Sequence, residues 1–424
     1  MNYLVNILIW CAYFVSLYFS VFLLLVYLDK KKIFLAEKSS LYPKYLPLVS
    51  VLIPAYNEEK NILKTLESVD QIDYPKEKLE IIVIDDGSSD STFKIMQEFA
   101  HNKANFKIIS HKNMGKAASL NQALLIAKGE FFACLDADSF VDRLTLRKMI
   151  SLYYNEDDSR LVIITPAMKV YNPENLLQKV QWLEYLVIIF FSRIASHIDS
   201  LYVAPGPFSL YKTDIIKKIG GFDEQNITED QEIAYRLQKN HYKIKQCFDG
   251  YVYTVAPKRI KPFYKQRRRW YLGSLNCLNK YRNIIGNKKY GDFGMMQTLK
   301  NAIGYLLAFI GIFLAVYFVV IPLIDTISNL IAIKFKIMPY LRDMSFNFDW
   351  LTFLSNDFRL GFIVALLLAI GYFFFYQAHK NANEKMTKMG IIPLIPYFFF
   401  YYMLKGVILI VSLFHFSKGR KIKW

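Results

Sequence analysis

Long apolar stretches lie near both ends of the chain and predict helices that cross a membrane. Residues 3–28 are almost unbroken apolar sequence, long enough to span a bilayer and too long for the core of a signal peptide. Lys30, Lys31 and Lys32 follow at once, which predicts a cytoplasmic end here and an N-terminus outside. Further candidate spans occupy residues 302–324, 360–376 and 391–416.

The last apolar stretch has two interpretations, because Pro393, Pro396 and Lys405 interrupt it. It is either one tilted span or an interfacial piece followed by a short span. A basic C-terminus favours a cytoplasmic end there, whereas three crossings after a cytoplasmic domain would leave that end outside, and the pattern leaves this conflict open. The basic residues are Lys418, Arg420, Lys421 and Lys423.

After a linker at residues 44–47, short apolar runs alternate with longer mixed segments as far as residue 249. Strand-like runs occupy residues 48–54, 79–84, 106–110 and 131–135. Helical segments occupy residues 57–69, 91–101, 115–127 and 231–239. This alternation predicts an α/β domain with a mostly parallel sheet covered on both faces. Ligands of such sheets bind beyond the carboxyl ends of the strands, where the polar motifs of this chain lie.

Residues 176–201 and 260–282 are two further segments that mix apolar or aromatic residues with charges. The first contains Glu184 and Arg193, which makes it a poor span and a better interfacial helix. The second is basic and aromatic, and we interpret it in the same way.

Composition agrees with a soluble body joined to membrane helices, since 54% of the 424 residues are hydrophobic and yet 21% are charged. The net charge of +17 is typical of attraction to an anionic inner leaflet, or of a basic channel for an anionic substrate. The chain has no signature of nucleic-acid binding, so nucleic acid is not an expected partner. It also lacks CxxC and HExxH patterns, which argues against a disulfide framework and a histidine-built metal site.

Polar motifs follow the first two strand-like runs. The first contains Pro54, Tyr56, Asn57 and Glu58, a place that can hold a nucleotide base or ribose. Its alternative is an ordinary turn in which Asn57 caps the next helix.

The second motif contains Asp86, whose carboxylate can accept hydrogen bonds from a base or ribose. Its alternative is a turn in which Ser88, Ser89 or Asp90 caps the next helix. Lys116, which opens a later helical segment, can reach a phosphate or base, or can simply be solvated.

A third motif places Asp136 and Asp138 two residues apart at the end of a buried strand. Two uncompensated acids at such a place would repel each other and raise a pKa. A hard divalent cation prefers oxygen ligands, and a diphosphate can supply the rest of its shell. The cation would neutralise charge on a leaving diphosphate, so this motif predicts a metal site.

Two more motifs lie further along the chain. Thr228, Glu229 and Asp230 open a helix, where a carboxylate can deprotonate an acceptor hydroxyl and where Thr228 or Asp230 can also act as a cap. Residues 266–270 read Gln-Arg-Arg-Arg-Trp. Arginine suits bidentate contact with a diphosphate, and tryptophan offers a flat face to a sugar ring. The alternative for this last motif is an interfacial helix against anionic lipid.

In order and spacing, these motifs resemble those of the family-two glycosyltransferases of the GT-A fold. The set Asp-Ala-Asp, Thr-Glu-Asp and Gln-x-x-Arg-Trp is similar to that of their membrane-integrated, processive branch, which contains cellulose, chitin, hyaluronan and poly-N-acetylglucosamine synthases. The resemblance covers roughly residues 47–281. It implies an inverting transferase in the plasma membrane, with a cytoplasmic catalytic domain, that uses Mg²⁺ or Mn²⁺ to move a sugar from a UDP-sugar to a growing polysaccharide.

The resemblance also implies a role for each matching residue. Asp230 would be the general base, and a small-residue stretch at residues 206–209 would lie near the acceptor. Asp138 and Asp136 would lie at the metal, and Asp136 would also contact the nucleotide. The other residues expected near the acceptor are Thr228, Glu229 and Trp270. The residues expected to bind the donor are Pro54, Tyr56, Glu58, Asp86, Lys116, Asp136, Gln266 and Arg269.

The resemblance and the apolar pattern together divide the chain. The expected parts are a membrane helix at residues 1–29, a GT-A domain at 47–249, an interfacial segment at 250–285 and a membrane region at 300–424. Several of the resembling synthases carry two spans before the catalytic domain, so a partner subunit or a homodimer would supply what this chain lacks. The other expected partners are a UDP-sugar, a glycan or lipid-linked acceptor, and membrane lipid.

Other functions fit the sequence less well. The alternative within the same class is a non-processive enzyme that adds one sugar to a lipid phosphate or a lipid-linked acceptor. An inactive membrane scaffold is disfavoured because all the proposed acids are present. A nicotinamide-dependent oxidoreductase is disfavoured because no GxGxxG motif follows the first strand.

Overall fold

A computed structural model describes residues 3–36, 43, 45–332 and 358–418 of the chain. The first residue of the predicted linker, Lys44, lies outside these described residues. So do most of the basic residues on which the predicted cytoplasmic C-terminus depends, namely Arg420, Lys421 and Lys423.

An eight-stranded mixed sheet forms the centre of the domain, in the order β3-β2-β1-β4-β7-β6-β8-β5. Strands β3, β2, β1 and β4 run parallel to one another, and β6 runs parallel to β8. Strand β7 is antiparallel to β4 and β6, and β5 is antiparallel to β8. The four predicted strands are confirmed to within one residue at each end, whereas β5 to β8 were not predicted. The strands are β1 (Val49–Ala55), β2 (Leu79–Asp85), β3 (Phe106–Ser110), β4 (Phe131–Cys134), β5 (Ser139–Val141), β6 (Leu161–Val170), β7 (Leu210–Lys212) and β8 (Lys243–Thr254).

Helices cover the sheet and extend from it. Those of the domain are α2 (Ile62–Asp70), α3 (Thr92–Ala100), α4 (Lys116–Ile126), α5 (Thr145–Glu156), α6 (Leu176–His197), α7 (Thr213–Lys218), α8 (Glu229–Lys239) and α9 (Ile260–Lys280). The outlying helices are α1 (Tyr3–Ala36), α10 (Phe293–Ala332), α11 (Phe358–Asn381) and α12 (Leu394–Ser417). Short 3₁₀ turns lie at Lys76–Lys78, Arg282–Ile284 and Lys288–Tyr290.

The start of α2 corrects one sequence interpretation. Asn57 has a φ of 55°, and its side-chain oxygen accepts a hydrogen bond from the Ser89 amide at 2.9 Å. The residue at the N-cap of α2 is Asn61, so the prediction of Asn57 as a helix cap was wrong. At the next helix, Asp90 does accept a hydrogen bond from the first-turn amide of Thr92, at 3.0 Å. The loops after β1 and β2 are therefore bonded to each other.

Apolar residues are buried on both faces of the sheet. Along β1, Val51 and Ile53 belong to a cluster that includes Met96 of α3, whereas Leu52 belongs to a second cluster that includes Leu120 of α4. Side chains alternate between the two faces of a strand, so a strand covered on both sides requires a continuous apolar run. The sequence of β1 meets that requirement, and packing on both faces fixes the position of the strand in the domain.

Four of the described helices are long and apolar enough to cross a membrane, namely Tyr3–Phe34, Phe293–Ala332, Gly361–Asn381 and Leu394–Ser417. The helices α6 and α9 are not among them, which agrees with their interpretation from sequence. The last helix is continuous, because Pro393 precedes it and Pro396 lies in its first turn, where a proline removes no intrahelical hydrogen bond. The structure thus favours one span over an interfacial piece followed by a short span.

Arg193 of α6 connects the membrane helices to the domain. Arg193 donates hydrogen bonds to the backbone oxygen of Phe34 at 2.7 Å and to Asn381 Oδ1 at 2.5 Å. Its guanidinium also lies 3.6 Å from the centroid of the Phe248 ring. The charge that makes this segment a poor span therefore joins α1, α11 and the sheet.

Candidate active site

The polar motifs meet at one edge of the sheet. In the parallel register Ala55 pairs with Asp85, and Leu52 pairs with Cys134, so β1, β2 and β4 end near one another. The first turns of α4 and α8 face this edge through Lys116 and Glu229. Four motifs that are distant in sequence therefore lie side by side.

Lys116 joins two of the acidic motifs. Its Nζ atom lies 2.6 Å from Asp136 Oδ1 and 2.8 Å from Glu229 Oε1. Burial lowers the pKa of Lys116, but the carboxylates of Asp136, Glu229 and Asp230 outweigh it and raise that pKa above its ordinary value. A Cβ atom on Gly206 would lie only 2.8 Å from Nζ, so the backbone of the predicted small-residue stretch covers the ion pair. The alternative of a solvated lysine was wrong.

Asp138 is half-buried beside this ion pair, and among the described residues it forms no salt bridge with a basic side chain. Its Oδ1 atom accepts a hydrogen bond from the hydroxyl of Ser139 at 3.2 Å. Burial, reinforced by the carboxylates of Asp136 and Glu58, raises the pKa of Asp138 to about 6. Three acids so close together favour the entry of a cation.

The residues present fit a metal that is shared with a substrate. The described residues contain no group of three or more His, Cys, Asp or Glu side chains arranged as a complete metal site. Mg²⁺ commonly takes one or two protein carboxylates and completes its shell with substrate phosphates and water. Asp138 provides such a partial donor set. Asp136 is the weaker ligand of the two, because Lys116 already pairs with it.

Asp86 fixes the turn from which Lys116 extends. Its two carboxylate oxygens accept hydrogen bonds from the amides of Met114 at 2.8 Å and Gly115 at 3.0 Å. Its own amide donates to the backbone oxygen of Ala55 at 2.8 Å. Gly115 has a φ of 91°, a conformation that favours glycine. Asp86 therefore positions Lys116, a role that the sequence did not predict.

The loop after β1 carries the first motif to the rim of the site. The side chain of Glu58 accepts a hydrogen bond from Asn61 at 2.9 Å, and burial raises its pKa, with a contribution from Asp136. Tyr56 is 50% exposed, so its ring is accessible to a ligand. Pro54 lies within β1 opposite Ile84. The structure thus places Glu58 close to the acids and Tyr56 at the edge.

The first turn of α8 orients Asp230. Thr228 is the N-cap residue but makes no capping bond, and its hydroxyl instead donates to Asn226 Oδ1 at 3.3 Å. The prediction of Thr228 as a cap was therefore wrong. Asp230 Oδ1 accepts a hydrogen bond from the amide of Gln231 at 2.8 Å, which leaves its second oxygen for other partners.

The charge state of Asp230 depends on its neighbours. Burial and the carboxylate of Glu229 raise the pKa of Asp230 to about 6, against the lowering effect of Lys116 and Arg269. A carboxylate with such a pKa accepts a proton more readily than an ordinary aspartate and is still ionised at neutral pH.

Helix α9 forms a second wall opposite Asp138. A cleft of about 510 Å³ is lined by Asp138 together with Gln266 and Arg269, which lie one turn apart. The Oε1 atom of Gln266 is buried and has no hydrogen-bond partner among the described residues. Trp270 does not line this cleft, and its ring packs 4.2 Å from the guanidinium carbon of Arg267. The third and fifth motifs therefore share one cavity, and Trp270 lies next to it.

Comparison with known proteins agrees with this geometry. Residues 50–220 match the family model described as Glycosyl transferase family 2. A poly-beta-1,6-N-acetyl-D-glucosamine synthase of Staphylococcus epidermidis is 28% identical over 424 residues, which cover 99% of this chain and 95% of that protein. A synthase of the same name from Staphylococcus aureus (strain COL) is 30% identical over 275 residues, 64% of this chain and 66% of that protein. Residues 50–220 therefore form a glycosyltransferase family 2 domain.

A solved structure supports the fold of this family-two glycosyltransferase. The mannosyltransferase of Pyrobaculum calidifontis, in complex with GDP-Man and Mn²⁺, is 22% identical and aligns with a TM-score of 0.57. The match covers 78% of this chain and 91% of that one. At this identity the likeness concerns the fold alone, and it confirms the predicted GT-A architecture with a mostly parallel sheet.

The structure also reveals polar residues that the sequence did not single out for the site. Glu184 and Lys405 pair at 2.5 Å. In the sequence they are opposite charges within two apolar segments, and that was the signal from which their pairing could have been predicted. A second cavity of about 900 Å³ lies beside α8 but contains none of the acids discussed above. Several of its charged residues pair with one another, as Glu232 and Lys280 do at 2.8 Å.

Gly273 allows α9 to approach the Thr-Glu-Asp motif. A Cβ atom on Gly273 would lie 2.0 Å from Thr228 Oγ1 and 2.7 Å from Thr228 Cβ. Rotation of the threonine side chain cannot relieve the second clash, because the Cβ atom is fixed to the backbone. The close contact between α9 and the first turn of α8 therefore depends on this glycine.

We expect Gly273→Ala to lower both stability and transferase activity, although alanine normally favours a helix by about 1 kcal/mol. Overpacking of this kind costs about 1–3 kcal/mol. Thermal unfolding and transfer assays on the detergent-solubilised protein would measure the two effects. Gly304→Ala is the matched control, because nothing lies within 4 Å of its added Cβ atom. Equal behaviour of the two variants would contradict the packing argument.

Proposed function

We propose that this family-two glycosyltransferase extends a polysaccharide by transferring sugars from a UDP-sugar, with inversion at the anomeric carbon. The observation that carries the proposal is the cleft in which Asp138 faces Gln266 and Arg269. A cation at Asp138 and the arginine opposite it would hold the two phosphates of a nucleotide diphosphate from both sides. The catalytic domain would lie at the cytoplasmic face of the plasma membrane, next to the basic end of α1.

The chemistry requires one base. Asp230 would accept the proton of the acceptor hydroxyl while the acceptor oxygen forms a bond to the anomeric carbon. The bond from that carbon to the diphosphate oxygen breaks, and UDP leaves with the electron pair. A single displacement inverts the anomeric configuration and needs no second carboxylate as a nucleophile. Bound Mg²⁺ or Mn²⁺ would neutralise charge on the diphosphate.

The remaining residues would bind the two substrates. Lys116, which pairs with Asp136 and Glu229, would contact the donor, and Tyr56 would contact the nucleotide. Trp270 would provide the apolar face against which the acceptor sugar stacks. The other donor residues would be Pro54, Glu58, Asp86, Asp136, Gln266 and Arg269, and the other acceptor residues Thr228 and Glu229.

N-acetylglucosamine is the sugar that the relatives support. Two of the similar proteins are poly-beta-1,6-N-acetyl-D-glucosamine synthases, and one of them aligns over 95% of its length. We therefore propose UDP-N-acetylglucosamine as the donor and a β-1,6-linked chain as the product. Such a chain must leave through membrane helices, for which a partner subunit or a second copy would complete the path.

Purified protein in nanodiscs with Mn²⁺ tests this function. We expect it to convert UDP-N-acetylglucosamine into a ladder of oligosaccharides that mass spectrometry resolves, and to use UDP-glucose and UDP-glucuronate far less. Reactions with EDTA in place of Mn²⁺ are the control and should lack product. A single sugar on a lipid acceptor would contradict the polymerase proposal, and preference for another donor would contradict the sugar assignment.

We expect Asp230→Asn to bind UDP and Mn²⁺ normally but to lose transfer by about 10²–10⁴-fold, as on removal of a general base. Asparagine retains the oxygen that accepts from the Gln231 amide, so the fold should persist. We expect Asp138→Asn to weaken the metal-dependent binding itself, as measured by calorimetry. Asp214→Asn, at an exposed acid on α7, is the control. Near-normal transfer by Asp230→Asn would remove Asp230 from the role of base.

The pH dependence should report the same base. Asp230 acts only when it is ionised, and its pKa is raised to about 6. With donor and Mn²⁺ saturating, kcat/KM for the acceptor should be constant above that pKa and fall about tenfold per pH unit below it. Calorimetry of UDP with Mn²⁺ over the same range separates this loss from protonation of Asp138. A flat acceptor profile down to about pH 5 would contradict the assignment.

A further inference from the structure

A single buried carboxylate connects α6, α9 and α12. Glu184 Oε2 lies 2.5 Å from Arg267 Nη2 of α9 and accepts a hydrogen bond from the Tyr401 hydroxyl of α12 at 2.7 Å. Its other oxygen, Oε1, lies 2.5 Å from Lys405 Nζ of α12. The side chains of Glu184 and Arg267 are only 4% and 3% exposed, so this network is inside the protein.

Burial of these charges needs an explanation other than stability. Desolvation of an ion pair often cancels its electrostatic gain, and apolar residues of similar volume can replace such a pair without loss of stability. What an ion pair adds is direction, because the planar guanidinium meets a carboxylate in a narrow range of geometries. The pair formed by Glu184 and Arg267 therefore fixes the orientation of a side chain.

The side chain so fixed lies against Trp270. The guanidinium carbon of Arg267 is 4.2 Å from the centroid of the Trp270 ring and 5.1 Å from that of Phe263. Gln266 and Arg269, on another face of the same helix, line the cleft with Asp138. Arg267 therefore contacts Trp270 inside the protein, and the face of α9 that carries Gln266 and Arg269 is open to a ligand in the cleft.

We propose that Glu184 and Arg267 are positioning residues for Trp270, and that they hold its ring in the orientation that the acceptor sugar requires. The proposal rests on the proposed function for the acceptor role of Trp270. Tyr401 bonds to both members of the pair, at 2.7 Å to Glu184 and 3.3 Å to Arg267, so the membrane helix α12 takes part in setting this orientation.

The orientation of Trp270 can be measured without an activity assay. In protein labelled with 5-fluorotryptophan, the variant Trp270→Phe assigns the ¹⁹F resonance of Trp270. Glu184→Gln keeps the shape of the side chain but leaves Arg267 and Lys405 without a counter-charge. We expect this variant to shift or broaden the Trp270 resonance. An unchanged resonance would overturn the proposal whatever the enzyme's substrates prove to be.

The functional consequence should be confined to the acceptor. With UDP-N-acetylglucosamine and a β-1,6-linked N-acetylglucosamine tetrasaccharide, we expect Glu184→Gln to lower kcat/KM for the tetrasaccharide at least tenfold. The Kd of UDP with Mn²⁺ should stay within twofold of the wild-type value. Equal weakening of UDP binding would indicate general disorder of the cleft and would overturn the proposal. Absence of transfer by the wild-type protein would instead count against the proposed function.

Two further variants separate positioning from folding. Lys405→Met is the matched control, because it removes the other cation and leaves the pair of Glu184 and Arg267 intact. We expect it to keep the Trp270 resonance and the acceptor kinetics. Arg267→Lys retains the charge but lacks the planar group over the ring, so it should change both, and it serves in place of Glu184→Gln if that variant does not fold. Wild-type behaviour of Arg267→Lys would overturn the proposal.

Discussion

The site depends on one half-buried cation, Lys116, among acids. Lys116 lies within 2.8 Å of carboxylates that come from the end of β4 and from the start of α8. Without it, Asp136, Glu229 and Asp230 would be like charges in a poorly solvated place and would repel one another. With it, the Asp-Ala-Asp and Thr-Glu-Asp motifs can lie next to each other. Asp86 accepts hydrogen bonds from the backbone amides of Met114 and Gly115, immediately before Lys116. The second motif therefore positions Lys116 by binding the backbone of its loop.

Much of this could be predicted from the sequence, but only where the physical signal is local. Strands such as β1 are buried on both faces and appear as continuous apolar runs, which explains why their limits were predicted to within one residue. Strands β5 and β7 contain three residues each and carry no periodicity that a pattern could reveal. The antiparallel half of the sheet, and with it the extension of β8 to Thr254, therefore came only from the structure.

The sequence predicted which polar residues gather at one edge of the sheet, but not how they interact with one another. A motif shows that Asp136 and Asp138 follow a strand, but not that Lys116 pairs with Asp136 while Asp138 has no basic partner in the part of the chain that the structure describes. That difference arises from the distance between α4 and β4, which depends on packing across the whole sheet. Asn57 is a second case in which the sequence did not reveal the interactions of a residue. Its type and position suit a helix cap, yet a positive φ and a bond to the next loop place it outside the helix.

The two walls of the cleft belong to different parts of the molecule, and one of them is in contact with a membrane helix. Asp138 lies in the turn between β4 and β5 of the sheet, whose position is fixed by clusters of apolar side chains on both faces. Gln266 and Arg269 belong to α9, which is held by Gly273 against α8 and by Glu184 against α12. The distance across the cleft therefore depends on how the membrane helices pack as well as on the domain. A shift of α12 along its axis would act on Tyr401 and Lys405 first and on α9 next. The proposed product would leave through the membrane helices, so this arrangement would couple the proposed acceptor side of the site to the helices that receive the product.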